Sequence, residues 1–185
     1  RLLVAYWFHK NMNKLNTLHF NKVSIISGTI NEPELKSITF DSINNYSFDD
    51  DKKFDLDTDW VKTLSPEFIG KSDLVICNQV LEHISNPVIA FKNFSSLLSP
   101  GGLLFVSVPV LNCIHGEPYF FSSGYHPRFL DRHAIDNNLK FVDGAYWGTY
   151  KYALNAISGR WCTAAQLRPG FHSISDFKNP LLSLT

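Results

Sequence analysis

The sequence predicts an α/β fold in which helices cover both faces of a mostly parallel β-sheet. An apolar run rich in β-branched residues, Leu74–Cys77, has the composition of a strand that is buried on both faces. A helix pattern that starts at Pro87 and a second apolar strand, Leu103–Val108, follow it. Strands that alternate with helices in this way are typical of doubly wound parallel sheets.

Length and composition indicate one globular domain. The 185 residues suffice for a domain with a full core, and 44% hydrophobic with 18% charged residues is typical of globular proteins. The charges of the 17 basic and 17 acidic residues cancel, so the formal net charge is zero. No apolar run approaches the ~20 residues that a membrane span needs. We therefore expect neither a nucleic-acid partner nor a membrane partner.

The elements divide the single domain 1–185 into a helical segment (1–21), a core (22–165) and a tail (166–185). The first helix is expected at 5–20, with an apolar side made of Tyr6, Trp7, Leu15 and Leu18. The strands are expected at Val23–Ser27, Ile38–Phe40, Phe54–Leu56, Leu74–Asn78, Leu103–Val108, Leu139–Val142 and within Tyr146–Ile157.

Local signals define the ends of two helices. Pro87 suits the first helical position with Asn86 as its N-cap, and Ser99–Gly102 is expected to stop that helix. Pro127–Asn137 is predicted to form a further helix, while the polar stretch Asn44–Lys53 is expected to be a loop.

Two segments of the core resemble the class I S-adenosylmethionine (SAM)-dependent methyltransferases. The run DLVICNQVLEHI, from Asp73 to Ile84, is similar to their fourth-strand segment. The run LLSPGGLLFVSVP, from Leu97 to Pro109, is similar to the helix end, glycine turn and fifth strand that follow. The resemblance covers roughly residues 22–145. It implies a Rossmann-like sheet of seven strands, the last one antiparallel, with SAM as the cofactor.

The resemblance also assigns cofactor contacts. Gly28 lies in the turn after the first strand, and Asp41 matches an acidic residue that bonds the ribose hydroxyls; a turn-starting aspartate is the alternative for Asp41. Asp57 matches the acceptor for the adenine amino group, against a solvated acidic loop as the alternative. The resemblance further implies that the Asn78 backbone and the Gln79 region flank the methionine portion of the cofactor. They lie at the carboxyl end of a strand, where open α/β sheets bind ligands.

Candidate catalytic and acceptor residues lie beyond that strand. Histidine is the side chain whose ordinary titration range lies nearest working pH, so His83 suits a general base, but the same residue can serve to hold its loop. The long connection Val110–Leu130 is similar to the substrate loop of methyltransferases from sugar and polysaccharide pathways. It supplies His126 as a second catalytic candidate and contributes His115, Tyr119, Tyr125 and Arg128 as substrate contacts; alternatively these side chains form a self-packed lid. The spacing gives no metal site, and no metal is predicted.

The favoured function is SAM-dependent methyl transfer to a small polar or sugar-like acceptor. The alternative is a non-catalytic, methyltransferase-like binding module, because one glycine, Gly28, stands where the family usually has two or three. An oxidoreductase reading fails because no G-x-G-x-x-G follows a predicted strand. The widely spaced Cys77, Cys113 and Cys162 suggest reduced, packed thiols in a cytoplasmic protein, which is compatible with a homo-oligomer.

Overall fold

The computed structural model describes residues 2–47, 54–147, 153–155, 158 and 171–173. Its main sheet has four parallel strands in the order β2-β1-β3-β4, and a two-stranded antiparallel ribbon joins β5 to β6. The strands are β1 (His19–Ile26), β2 (Thr39–Tyr46), β3 (Ser72–Asn78), β4 (Leu98–Ser107), β5 (Ala145–Trp147) and β6 (Phe171–Ser173). The α-helices are α1 (Leu2–Lys14), α2 (Trp60–Thr63), α3 (Pro87–Leu97) and α4 (Pro127–Asp136). Short 3₁₀ helices cover Pro33–Ser37 and Leu81–His83.

Strand β3 lies in the interior of the sheet and is buried on both faces, as its apolar run predicts. Val75 and Cys77 pack into one core cluster together with helix α3. Leu74 and Ile76 pack into a second cluster, which includes Phe8 of helix α1. Helices therefore cover both faces of the parallel sheet, and the α/β prediction is confirmed. The seven-strand count with an antiparallel last strand stays a prediction.

Helix α3 begins where the sequence signals place its start. The side chain of Asn86 accepts a hydrogen bond from the backbone N–H of Ile89, and Pro87 is the first helical residue. The predicted apolar face is buried at Phe91, Phe94 and Leu97, whereas Val88 is exposed. The helix ends at Leu97 and β4 starts at the next residue, so the Ser-Pro-Gly-Gly stretch belongs to an irregular start of β4.

The apolar side predicted for the first helix is wrong except at Trp7, which packs against the second core cluster. Phe8 and Met12 of α1 are buried against the sheet, while Tyr6 is 64% exposed. Leu15 and Leu18 are also exposed because α1 ends at Lys14 and the chain turns into β1 at His19. The stretch is rich in apolar residues all round, so helical spacing alone does not identify its buried side.

Three predicted strands also need correction. Phe54–Leu56 and Leu139–Val142 are not strands, because the first forms turns held by side chains and the second is an irregular segment after α4. The second strand runs from Thr39 to Tyr46 and does not end at Asp41. The predicted loop 44–53 therefore begins inside β2, and its residues 48–53, like much of the predicted strand region 146–157 and of the tail, lie outside the described residues.

A buried asparagine of α3 holds the turn segment that precedes α2. The side chain of Asn93 accepts from the backbone N–H of Trp60 at 3.0 Å and donates to the carbonyl oxygens of Leu56 (3.2 Å) and Thr58 (2.7 Å). Asn93 is wholly buried, as is the Trp60 side chain that packs on Tyr46. The turn segment is thus fixed by three hydrogen bonds from one side chain.

Replacing Asn93 is expected to destabilise the domain strongly. Asn93→Ala should lower the free energy of unfolding by about 3 kcal/mol, because it leaves buried backbone groups without partners. Urea unfolding followed by tryptophan fluorescence measures this change. The control is Glu67→Ala, which alters an exposed side chain away from this segment and is expected to have little effect. Equal midpoints for the two variants would contradict the anchoring role.

Asp73 ties the first residues of β3 to both neighbouring strands. Its Oδ2 accepts from the backbone N–H of Asn21 at 2.9 Å and of Lys22 at 3.3 Å, and its Oδ1 accepts from the Ser99 hydroxyl at 2.9 Å. Burial raises the pKa of Asp73, but the hydrogen bonds from Ser99, Lys22 and Asn21 outweigh it and hold the pKa below its ordinary value.

The stabilisation by Asp73 is expected to depend on pH. A lowered pKa in the folded state means that the contribution is complete above the ordinary aspartate pKa of about 3.9 and is lost as the pH falls through the lowered value. The urea midpoint of the wild type should therefore fall more steeply between pH 5 and pH 3 than that of Asp73→Asn. Glu67→Gln, at an exposed position, is the control. The prediction would be refuted if the urea midpoint of Asp73→Asn fell as steeply with pH as that of the wild type.

Candidate functional site

The strand order reverses between β1 and β3, so their carboxyl ends flank the crevice in which open α/β sheets bind ligands. Each strand is followed there by a non-glycine residue with a positive φ, namely Ser27 (φ 49°) and Gln79 (φ 58°). Such conformations are strained, and they cluster at binding sites. We call the group Gly28, Glu34, Asn78, Gln79 and Ser107 at this edge the crossover crevice.

A chain of polar side chains crosses this crevice. The buried amide of Asn78 donates to Glu34 Oε1 at 3.1 Å, and its Oδ1 accepts from the Ser107 hydroxyl. Gln79 Nε2 donates to Ser107 Oγ at 3.2 Å. Glu34 is wholly buried and comes from the 3₁₀ helix Pro33–Ser37. The sequence reasoning missed Glu34 because nothing in its local pattern separates it from an ordinary surface glutamate.

The turn at Gly28 is tightly packed. A Cβ atom at this position would clash with Ile25 Cγ2 and lie 3.3 Å from Glu32 Cγ. The Asn45 side chain donates to the Gly28 carbonyl at 2.8 Å. Packing by the chain's own neighbours therefore already requires glycine here.

Asp41 lies away from the crossover crevice. It is five residues before the last residue of β2, Tyr46, which corresponds to roughly 16 Å along the strand. Its Oδ1 is 3.3 Å from His19 Nε2, and both side chains are exposed. The expectation that Asp41 ends its strand is wrong because Ser42 to Tyr46 continue it, while the ribose role of Asp41 stays a prediction.

Asp57 contacts the start of helix α3. Its carboxylate accepts from the backbone N–H of Asn86 at 2.6 Å and of Ser85 at 3.4 Å. A carboxylate before a helix N-terminus interacts favourably with the helix dipole. Trp60, three residues further along the chain, is wholly buried in the core. The adenine role of Asp57 stays a prediction.

The long connection after β4 docks onto the 3₁₀ helix Leu81–His83. The backbone N–H groups of Phe121 and Ser122 donate to the Glu82 carbonyl at 2.8 and 3.2 Å. The Tyr125 hydroxyl donates to the Leu81 carbonyl at 2.9 Å, and burial raises the pKa of that hydroxyl. The substrate loop predicted from the sequence thus covers the residues that follow the crossover crevice.

This docking brings Glu82, His83 and His115 together, and we call them the loop cluster. One ligand atom of each lies within 4.8 Å of the others. The His83 and His115 rings are edge to face with centroids 4.8 Å apart. Glu82 is 1% exposed, and burial raises the pKa of its carboxyl group. The sequence predicted both histidines as functional but missed their contact with Glu82.

The remaining predicted residues lie on the rim of the loop. Tyr119 accepts a 2.6 Å hydrogen bond from His83 Nδ1 through its backbone carbonyl, while its side chain is exposed. His126 is exposed and caps α4, since its Nδ1 accepts from the Arg128 N–H at 3.2 Å. Arg128 is exposed in the first turn of α4. His126 is therefore occupied in a structural contact, and its catalytic role stays a prediction.

A cavity of about 1270 Å³ extends along β4 and reaches the crossover crevice at one end. At that end it is lined by Gln79, Ser107, Asn112 and Tyr125, whereas Gly28 and Asn78 are not among its lining residues. The accessible space therefore adjoins β4 and the docked loop. Of the predicted site residues, Gln79 and Tyr125 line this cavity.

A family model described as a methyltransferase domain matches residues 19–148 of this sequence. The chain belongs to the methyltransferase domain family. A solved structure of a candidate methyltransferase from Bacillus halodurans C-125 superposes with a TM-score of 0.51 at 9% identity, and the superposition covers 87% of this chain and 79% of that one. The methyltransferase fold is therefore shared, and the sugar-pathway subtype stays a prediction.

Curated relatives match a shorter part of the methyltransferase domain. A ubiquinone biosynthesis O-methyltransferase from Marinobacter nauticus is 43% identical over 42 residues, which are 23% of this chain and 18% of that protein. A protein of the same name from Xanthomonas campestris is 43% identical over 47 residues, 25% of this chain and 20% of its own. The match thus spans about a fifth of these relatives. In the described part of the chain, no helix has the length and apolarity required to cross a bilayer.

The position of Asp57 predicts a capping role that stability measurements can detect. Asp57→Ala should lower the free energy of unfolding by about 1 kcal/mol, because the first N–H groups at α3 lose their acceptor. Asp57→Asn keeps an acceptor oxygen and should recover most of that loss. Urea midpoints of the two variants give the comparison. If the alanine variant were as stable as the wild type, the carboxylate would not be holding the start of α3.

Proposed function

We propose that this domain transfers a methyl group from SAM to a small polar acceptor, with the reacting groups held between the crossover crevice and the docked loop. The observation that carries the proposal is the pair of strained residues, Ser27 and Gln79, at the carboxyl ends of β1 and β3 in a methyltransferase-family chain. Strain of this kind persists where a site needs a particular backbone shape.

The side chains of the crossover crevice fit the methionine portion of SAM, which is cationic at its sulfonium and its ammonium. Glu34 supplies a carboxylate, and Asn78 and Ser107 supply amide and hydroxyl oxygens next to it. Oxygen acceptors of this kind stabilise a positive charge. Gln79 lies between this group and the cavity, where it would contact the donor. SAM, when bound, supplies an electrophilic methyl group, and the domain contributes orientation and matched charge.

The docked loop provides the acceptor side of the proposed site. His83 Nδ1 lies 2.6 Å from the Tyr119 carbonyl, which can only accept, so Nδ1 carries the proton of the neutral ring. The lone pair of Nε2 is then available for a proton or a cation. Asn112 and Tyr125 line the adjacent cavity and offer polar contacts to an acceptor. The relatives named as O-methyltransferases favour an oxygen acceptor; a sugar-like acceptor, a cytoplasmic location and a homo-oligomer stay predictions.

A second candidate is a non-catalytic binding module that keeps the methyltransferase fold. It is favoured by the buried Glu34–Asn78 hydrogen bond, which lies where the donor is expected, and by the packed turn at Gly28. In this alternative the polar chain across the crevice is structural, as buried polar groups that satisfy each other usually are.

Titration of the whole chain with SAM and with its demethylated product separates the two candidates. An active site should bind both, and Gln79→Ala should weaken them about tenfold because Gln79 lies between the crevice and the cavity. Asp41→Asn is the comparison: the distance of Asp41 from the crevice predicts unchanged affinity, whereas a ribose contact would reduce it. A melting temperature that rises with ligand gives an independent measure. Absence of both heat and thermal shift at millimolar ligand would reject the transferase and favour the binding module.

A further inference from the structure

The loop cluster has the composition of a metal site. Glu82, His83 and His115 contribute one carboxylate and two imidazoles, and one ligand atom of each lies within 4.8 Å of the others. We propose that this cluster binds a divalent ion of the zinc class. The proposal goes beyond methyl transfer and does not depend on it, because metal binding is measured without SAM.

Both imidazoles are held at Nδ1 by backbone carbonyls. His83 Nδ1 lies 2.6 Å from the Tyr119 carbonyl, and His115 Nδ1 lies 2.8 Å from the Cys113 carbonyl. Because a carbonyl can only accept, both Nδ1 atoms carry protons in the neutral rings and both Nε2 atoms have lone pairs. A backbone carbonyl that accepts from the second ring nitrogen is the usual support of a metal-binding histidine.

The carboxylate supplies an independent indication of a ligand. Glu82 is 1% exposed, and its Oε2 has no hydrogen-bond partner within the part of the chain that the structure describes. An unsatisfied carboxylate oxygen in the interior is costly, and a bound cation removes that cost. The backbone carbonyl of the same residue already holds the docked loop. Glu82 therefore places an unpartnered acceptor beside two oriented imidazoles.

The distances require a small closure around the ion. Tetrahedral zinc with bonds of 2.0–2.1 Å separates its ligand atoms by about 3.3 Å. The present limit of 4.8 Å exceeds this by roughly 1.5 Å. His115 lies on an irregular loop, and rotation of its partly exposed side chain can supply that movement.

The donor set favours zinc-like ions over magnesium. Two imidazole nitrogens suit Zn²⁺ and its neighbours in the first transition row, while Mg²⁺ prefers oxygen ligands and keeps several waters. Three protein ligands leave a fourth position for water or a ligand oxygen, as in catalytic rather than structural zinc sites.

Calorimetric titration of the EDTA-dialysed full chain with Zn²⁺ tests the proposal. The wild type should bind one equivalent, and millimolar Mg²⁺ should not displace it. Glu82→Gln and His115→Ala should each weaken Zn²⁺ binding at least tenfold, since each removes one of three ligands. Circular dichroism checks that both variants fold. Because His115 is on a surface loop, its variant decides the matter if the buried Glu82→Gln does not fold.

His9→Ala is the matched control, because His9 is an exposed histidine of α1 outside the loop cluster. It should bind Zn²⁺ like the wild type. The proposal is overturned if His115→Ala and the wild type have equal Zn²⁺ affinity, if the wild type binds less than half an equivalent, or if His9→Ala weakens binding as much as His115→Ala does.

Discussion

Burial of β3 on both faces is the constraint on which the rest of the structure depends. Leu74 and Ile76 face one core cluster, and Val75 and Cys77 face the other, so the strand has no polar side. Its polar neighbours can therefore be placed only at its ends. Asp73 fastens the first end to the adjacent strands, and Asn78 begins the polar edge at the other. The candidate site is thus a consequence of where this apolar strand stops.

Buried polar side chains then add hydrogen bonds between elements that the apolar core also holds. Asn93 of α3 fixes the turn segment before α2, and Glu34 joins the 3₁₀ helix after β1 to Asn78 of β3. Each of these side chains bonds a distant part of the chain, and each is buried deeply enough for an unmade bond to be costly. The connection after β1 is short, which lets Glu34 reach the crossover crevice. The Glu34 carboxylate that would suit a cationic donor is therefore the same carboxylate that accepts the hydrogen bond from Asn78.

The parts of the fold that follow from local rules could be predicted from the sequence. The apolar run of β3 and the Asn86–Pro87 start of α3 each express one physical signal, and the structure confirms them. The length of β2 could not be predicted, because Ser42, Asn44 and Asn45 have low strand propensity and are held by pairing with β1. The buried side of α1 was likewise set by contacts with the sheet. In the site, His83 and His115 were recognised as chemistry-bearing residues, but their meeting depends on the folded path of a long loop.

The docked loop and the loop cluster share one residue, Glu82. Its backbone carbonyl accepts two hydrogen bonds from the docked loop, while its carboxylate Oε2 has no hydrogen-bond partner among the described residues. Protonation of this carboxylate, or binding of a cation to it, removes the free-energy cost of burying its charge. That cost falls on Leu81–His83, the segment to which the loop is attached. The order of the loop and the charge state of the cluster are consequently linked. Gln79 lies three residues before Glu82, directly after the end of β3. A methyl acceptor held by the loop and a methyl donor held in the crevice would therefore meet across Leu81–His83.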